Sequence, residues 1–466
     1  MTKKLWGGRF KKELDEEILK FSSSLSYDEK LAEYDIKGSI AHAKMLGRCK
    51  IISKKDSDKI VKGLSKLASK LKSNKLKVGV QHEDIHSAIT NLLKKQIGKV
   101  ALKLHAARSR NDQVALDIRM YCKDEIKNII DAIKSLQKCF LKGAVRFSNK
   151  KVVMPSYTHL QQAQCILLSH QLLAYIEMFQ RDKGRLEDAF KRVDVMPLGS
   201  MAHRGTTLGI DRKYVAKLLG FSKVSENSID AVSDRDFVAE ILSILAIVSM
   251  HTSRICEDFI IWSSNEFGYV EGDDAHYTGS SIMPNKKNPD PFELVRGYSG
   301  EVYGNLVSVL VMMKGLPLTY NRDMQLDKPA LFNAVEVVKN SLHILTKVLD
   351  ALKINENVLS EACKKNDFIF ATDICEYLIG KGSSQDDAHK IAGKIVLHCL
   401  DSGIKISGIE DKKLDALTSG KLKKRELREL LVPSKSVSNV KSHGGTSPSS
   451  VKKQIKKWNK VLRLNS

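Results

Sequence analysis

Between residues 106 and 351 apolar side chains recur at helical spacing for many turns, with few helix breakers inside the runs. Ile126, Ile129, Ile130, Ile133, Leu136 and Phe140 make one such stripe. Phe237, Ile241, Leu242, Leu245, Val248, Ile255, Phe259 and Ile260 make another, and residues 297–314 and 330–352 repeat the pattern. The breakers collect instead at 154–156, 196–205, 265–291 and 315–317. Long helices separated by loops predict an extended bundle. Several stripes are apolar on more than one face, and the extra face calls for burial against further copies of the chain. The expected fold is therefore all-α. Residues 1–105 read as an N-terminal mixed helical domain, 106–355 as a central long-helix bundle holding the loop 279–290, and 356–466 as a small C-terminal helical domain. No internal repeat and no run of alternating strands stands out.

Composition bounds the function. With 42% hydrophobic and 28% charged residues the chain reads as soluble and globular. The formal charge of +23 raises the question of nucleic acid, but the lysines are scattered and are not interleaved with aromatics, so a lysine-coated surface that attracts small anions is the better reading. The 8 cysteines form no CxxC pair and fall largely at apolar helical positions, as reduced core thiols do. The N-terminal residues lack the apolar segment of a secretory signal. The longest apolar stretch, 237–250, contains Glu240 and is shorter than the ~18 residues of a membrane span. A cytoplasmic protein without a nucleic-acid or membrane partner is expected.

His82-Glu-Asp-Ile-His86 matches the zinc-hydrolase pattern HExxH. A third ligand is needed, and the usual positions are occupied by Ile89 and Leu92, with no Asp or Glu from 87 to 111. The segment reads better as part of a polar pocket or a helix cap, and no metal is expected.

Four polar clusters interrupt the apolar periodicity, at 105–113, 157–164, 227–236 and 320–328. Each alone could be a helix cap or a surface ion-pair cluster. Together they are rich in arginine, which grips carboxylates in two-pronged fashion, and in amide and hydroxyl donors. The loop Gly279-Ser-Ser-Ile-Met-Pro-Asn-Lys-Lys-Asn-Pro-Asp290 adds two prolines that fix its backbone, two serines, two lysines and two asparagines. That is equipment for holding a carboxylate.

The loop resembles the signature of the fumarase/aspartase superfamily, whose members eliminate a group from a succinyl-type substrate and release fumarate. Within it the chain resembles the argininosuccinate lyase family, through the segments 5–10, 34–42, 108–113, 157–161, 230–237 and 444–446. The resemblance implies three mostly helical domains, a homotetramer with a twenty-helix core, and active sites that draw on three subunits. It implies reversible β-elimination of argininosuccinate to L-arginine and fumarate, the last step of arginine biosynthesis, without a cofactor.

Removing a Cβ proton next to a carboxylate drives charge into that carboxylate, and preorganised cations and donors must hold it. By resemblance Ser280 is the base, with its alkoxide stabilised by Lys286 and by backbone amides of a closing loop. Lys286 and Asn288 hold the reacting carboxylate, and His159 pairs with Glu293 in positioning and proton relay. Ser109, Asn111, Thr158 and Arg235 are implied for the succinyl end. Ser24, Asp28, Tyr320, Gln325 and Lys328 are implied for the arginine part, where an acidic group such as Asp28 suits a guanidinium.

The chain departs from the family pattern at several places. Ala106-Ala107 replaces Thr-Gly, and Met201, His203 and Arg204 are larger or more polar than the residues of the family's Pro-Leu-Gly-Ser-Gly-Ala-Leu-Ala-Gly stretch. Thr90 and Leu326 stand for glutamates and Cys165 for a proline. None removes an implied proton-transfer residue. The competing functions are a sister lyase acting on adenylosuccinate, fumarate or aspartate, and a catalytically weak crystallin-like homologue. The segments 5–10 and 108–113 speak against the first, and retention of Ser280, Lys286, His159 and Glu293 against the second.

Overall fold

A computed structural model describes residues 15–73, 75 and 82–463; the motif at 5–10 lies outside them. The helical periodicity is realised in four long helices, Arg110–Lys150, Leu168–Val193, Asp236–Ser263 and Asp327–Ala351. Strand structure among the described residues is confined to four two-stranded pairings. The helix Asp236–Ser263 is long and apolar enough to cross a membrane by those measures alone, but 61% of its most apolar window is buried inside the chain. It extends past the 237–250 stretch because the apolar stripe resumes after Ser253 and Arg254 with Ile255, Cys256, Phe259 and Trp262, all buried.

The chain divides into two compact units, with every boundary but one inside those long helices and the other in the helix Ser299–Met313. The first unit comprises residues 1–129, 184–246 and 300–338. Its N-terminal part packs the helices Ala32–Arg48, Lys54–Lys72 and Ile85–Ile97 around Ile36, Leu46, Ile60, Leu64, Ile89 and Leu93. Gly63 permits that packing, since a Cβ there would sit 2.6 Å from Leu93 Cδ1. Asp84 caps the helix Ile85–Ile97, its Oδ1 accepting the Ser87 N–H at 2.7 Å.

The second unit comprises 130–183, 247–299 and 339–466. Its C-terminal helices close over Ile374, Leu378, Ile395, Cys399, Leu414 and Leu427. It also holds a hairpin, Val153–Thr158 against Gln161–Leu167, that the sequence reading did not anticipate. The alternation that would have signalled it is blurred. The strands are partly exposed, and the register shifts between Pro155 and Tyr157.

Candidate functional site

The first unit gathers eight of the implied site residues, in two neighbouring groups. In one, the Ser24 hydroxyl donates to Asp28 Oδ2 at 2.6 Å and the Ile85 N–H donates to Asp28 Oδ1 at 3.2 Å. Burial lifts Asp28 above the usual carboxylate range, against the pull of His86 and Ser24. Gln325 donates to the Ser22 carbonyl at 3.2 Å and hydrogen-bonds the Tyr27 hydroxyl. Arg322 ties the same segment down, reaching the Ser22 carbonyl at 2.7 Å and Glu83 at 2.8 Å.

Tyr320 follows Thr319, a β-branched residue at φ 79°. That conformation is strained for such a side chain, and the Ser233 hydroxyl holds it by accepting the Thr319 N–H at 3.1 Å. Arg235 is fully buried and places its Nε 2.5 Å from Asp327 Oδ2. Lys328 donates to the other oxygen of Asp327 at 2.8 Å. Arg235 Nη2 is buried and has no hydrogen-bond partner among the described residues. Two cations on one carboxylate, one of them with a spare donor, leave a net positive site suited to a ligand carboxylate. Asp327 was not singled out from sequence; its place beside Lys328 was the available signal.

The second group centres on the start of the helix Arg110–Lys150. Asp112 accepts the N–H groups of Ser109, Gly199 and Met201 at 2.9, 2.9 and 2.8 Å. Burial nevertheless dominates and pushes its carboxyl up to about 6. Asn111 donates to the Ala202 carbonyl at 3.2 Å. The loop it touches is fixed by Arg212, which donates to the carbonyls of Leu198, Pro197 and Ser225. Ser109 and Asn111 therefore stand on a rigid junction between a helix start and the 197–204 loop. Ala107 and Met201 lie on either side of it at φ 53° and 57°, the left-handed region that favours glycine. These are two of the positions where the chain departs from the family pattern.

His82 and Glu83 precede the helix Ile85–Ile97, so the HExxH residues do not share a helical face. His86 instead meets Asp35 at 3.1 Å and Asp117 at 3.3 Å, all three buried, with one ligand atom from each lying within 4.8 Å of the others. These could hold a cation. Asp35 is already balanced by cations of the protein, whereas both Asp117 oxygens are buried without a hydrogen-bond partner among the described residues, and burial raises that carboxyl well above its usual range. Burial works to raise Asp35, but His86, Arg108 and Arg110 outweigh it and hold it at about 2, and Gln113 donates to the same carboxylate.

The second unit carries the remaining six. Thr278–Gly279 pairs with Lys287–Asn288, closing the loop between them. Within it the Ser280 Oγ accepts the N–H groups of Ile282 at 3.2 Å and Met283 at 3.0 Å. Two amides aimed at that oxygen stabilise negative charge on it, as an alkoxide base requires. Lys286 has no ion-pair partner among the described residues, whereas Lys287 pairs with Asp274 at 2.6 Å. Asn288 donates to Thr278 Oγ1 at 3.4 Å. Glu293 is exposed in the helix Asp290–Gly297. Thr158 and His159 lie exposed at the tip of the hairpin. Within one chain His159 and Glu293 make no ion pair with each other among the described residues.

Cavities of about 1040 Å³ in the second unit and about 430 Å³ in the first are lined by none of the implied site residues.

Residues 8–304 match the family described as lyase, and residues 368–438 match the argininosuccinate lyase C-terminal family. The argininosuccinate lyase of Oceanobacillus iheyensis is 45% identical over 98% of this chain and 99% of its own length. That of Pelotomaculum thermopropionicum is 46% identical over 99% of each. Among solved structures, an EDDS lyase in complex with formate superposes with a TM-score of 0.83 at 26% identity, covering 94% of this chain and 87% of that one. A 3-carboxy-cis,cis-muconate lactonizing enzyme from Pseudomonas putida shares the fold, with a TM-score of 0.74 at 15% identity over 94% and 96% of the two chains.

Proposed function

The chain belongs to the argininosuccinate lyase family, and from that premise we propose the following account of its chemistry. The protein is a carbon–nitrogen lyase that cleaves argininosuccinate to L-arginine and fumarate, reversibly, as the last step of arginine biosynthesis. Ser280, as the alkoxide, takes the Cβ proton. The electron pair left behind moves into the adjacent carboxylate, and Lys286 and Asn288 hold the resulting dianion. The carbon–nitrogen bond then breaks, its electrons leave with the guanidinium nitrogen, and a proton is delivered to that nitrogen. His159 and Glu293 serve this proton traffic. Ser109, Asn111, Thr158 and Arg235 bind the succinyl end, and Ser24, Asp28, Tyr320, Gln325 and Lys328 the arginine end.

The observation that carries the reading is the loop 279–290. It presents a serine whose oxygen receives two backbone amides, close in sequence to a lysine with no ion-pair partner among the described residues. A site shared between chains is supported by the exposure of Thr158, His159 and Glu293, with no ion pair between His159 and Glu293 within one chain among the described residues. We place the working enzyme as a cytoplasmic homotetramer in which chains complete one another's sites. The test is fumarate absorbance from purified protein given argininosuccinate, with adenylosuccinate, aspartate and malate in parallel. Fumarate from argininosuccinate alone is expected. Release from another of these substrates, with none from argininosuccinate, would assign the chain to a sister activity.

A further inference from the structure

We propose that Tyr269 and Asn366 are positioning residues for His159, holding from below the strained turn that presents it. The proposal rests on the reading of His159 as a proton-transfer group.

The register pairs Tyr157 with Gln162 and Thr158 with Gln161, so His159 and Leu160 are the two residues of the hairpin turn. Their φ values are 53° and 58°. A two-residue turn with both values positive is the geometry that Asn-Gly fills without strain, and His-Leu does not. The turn does little to hold itself. Thr158, His159 and Leu160 are exposed, and their side chains make no hydrogen bond among the described residues. The strand ladder beneath them is broken by the register shift between Pro155 and Tyr157. A cavity of about 1040 Å³, lined by Tyr157 and Gln162 among others, removes close packing on one side.

Beside the packing of the Tyr157 ring on Phe267, with centroids 5.5 Å apart, the tip is held by a chain of hydrogen bonds. Tyr157 and Tyr269 hold their hydroxyl oxygens 2.5 Å apart. Gln162 Nε2 donates to the Tyr157 hydroxyl at 3.4 Å, and Asn366 Nδ2 donates to Gln162 Oε1 at 3.0 Å. Both outer members stand on backbone the hairpin does not supply. The Tyr269 N–H donates to the Trp262 carbonyl and its own carbonyl accepts the Asn355 N–H, each at 2.9 Å. Asn366 Oδ1 accepts the Phe368 N–H at 3.3 Å, at the start of the short helix Asp367–Phe370. The hairpin tip is thus tied to the end of one long helix and to the first C-terminal helices. A strained turn fixed by outside anchors is how a fold keeps a reactive group in a conformation its own residues would leave.

The test uses the full-length enzyme. Tyr269→Phe and Asn366→Ala are compared with His159→Gln and with the parent, with Tm recorded for each. Each anchor variant should lower kcat by about tenfold to a hundredfold with a smaller rise in KM, because Thr158 shares the loosened tip while the other substrate-gripping residues are untouched. Leu160→Gly on the Asn366→Ala background should recover most of that loss, since glycine adopts a positive φ without strain and the turn then needs less holding. If Asn366→Ala also lowers Tm sharply, Tyr269→Phe, which keeps the ring packing, decides alone. Unchanged kcat in His159→Gln would remove the reading of His159 on which the proposal stands. Loss in His159→Gln with parental kcat in Tyr269→Phe, or no recovery on adding Leu160→Gly to an impaired Asn366→Ala, would overturn the positioning role itself.

Discussion

Arg235 and Asp327 form an ion pair from which water is wholly excluded, with Nε 2.5 Å from Oδ2 and both side chains at 0% exposure. Burial works to raise the Asp327 carboxyl, yet Lys328 and Arg235 outweigh it and hold it below its usual range. The carboxylate is thereby neutralised twice over, and Arg235 Nη2 is left buried without a hydrogen-bond partner among the described residues. Arg235→Gln should lower stability by about 3 kcal/mol, the scale for breaking a buried pair. It should also raise KM for argininosuccinate at least tenfold, with a smaller change in kcat. A variant with parental KM in steady-state assays would remove Arg235 from the binding site.

Much of this was legible in the sequence, for reasons that differ by residue. The apolar stripe through Phe237, Ile241 and Leu245 gave the long helix because burial of one face repeats at helical spacing. The loop 279–290 was legible because its prolines and polar side chains have no use in a core. The hairpin carrying His159 was not, since its exposed tip and broken register erase the alternation that marks a strand. Nor was the part played by Tyr269, Asn366 or Asp112, because each acts on residues more than 80 positions away and nothing local announces it.

Ala107 and Met201 show how structure explains a departure that sequence could only note. Both occupy left-handed backbone, where an L side chain is opposed by about 1–2 kcal/mol and glycine is not. Glycine returns part of that through its greater unfolded-state entropy. Ala107→Gly and Met201→Gly should each therefore raise stability by about 0.5–1 kcal/mol, read as a higher midpoint in denaturant. A lower midpoint in both would mean that their side-chain contacts outweigh the backbone strain.

Asp112 gives the stability a definite pH dependence. Its folded-state carboxyl is pushed up to about 6 by burial, above the ordinary value of 3.8. A group raised on folding contributes stability that is fully present below its unfolded value and is lost as pH rises through its folded value. Its contribution should therefore fall between pH of about 4 and 6, by at most about 3 kcal/mol. Asp112→Asn removes that titration, so the stability difference, parent minus variant, should shrink as pH rises across this window. A difference that stays level or grows would contradict the assignment.

The proposed sharing of sites between chains carries a prediction about assembly. Arg235→Gln and Ser280→Ala each disable a different part of the proposed site. When the two impaired proteins are unfolded together, reassembled and assayed at argininosuccinate well below the parental KM, where each alone is weak, sites drawing Arg235 and Ser280 from different chains should recover about a quarter of parental activity, by random assortment into a symmetric oligomer. Recovery no greater than the sum of the two parents would mean that one chain supplies both residues.

The most direct measurement is turnover and binding in Ser280→Ala, followed by fumarate absorbance and by equilibrium titration with argininosuccinate. The side chains that grip the substrate are intact in this variant, so binding should stay within about threefold of the parent, while kcat should fall at least ~10³-fold because no oxygen remains for the loop amides to activate. Turnover near the parental rate would contradict the account, because the Cβ proton would then be leaving by way of some other group.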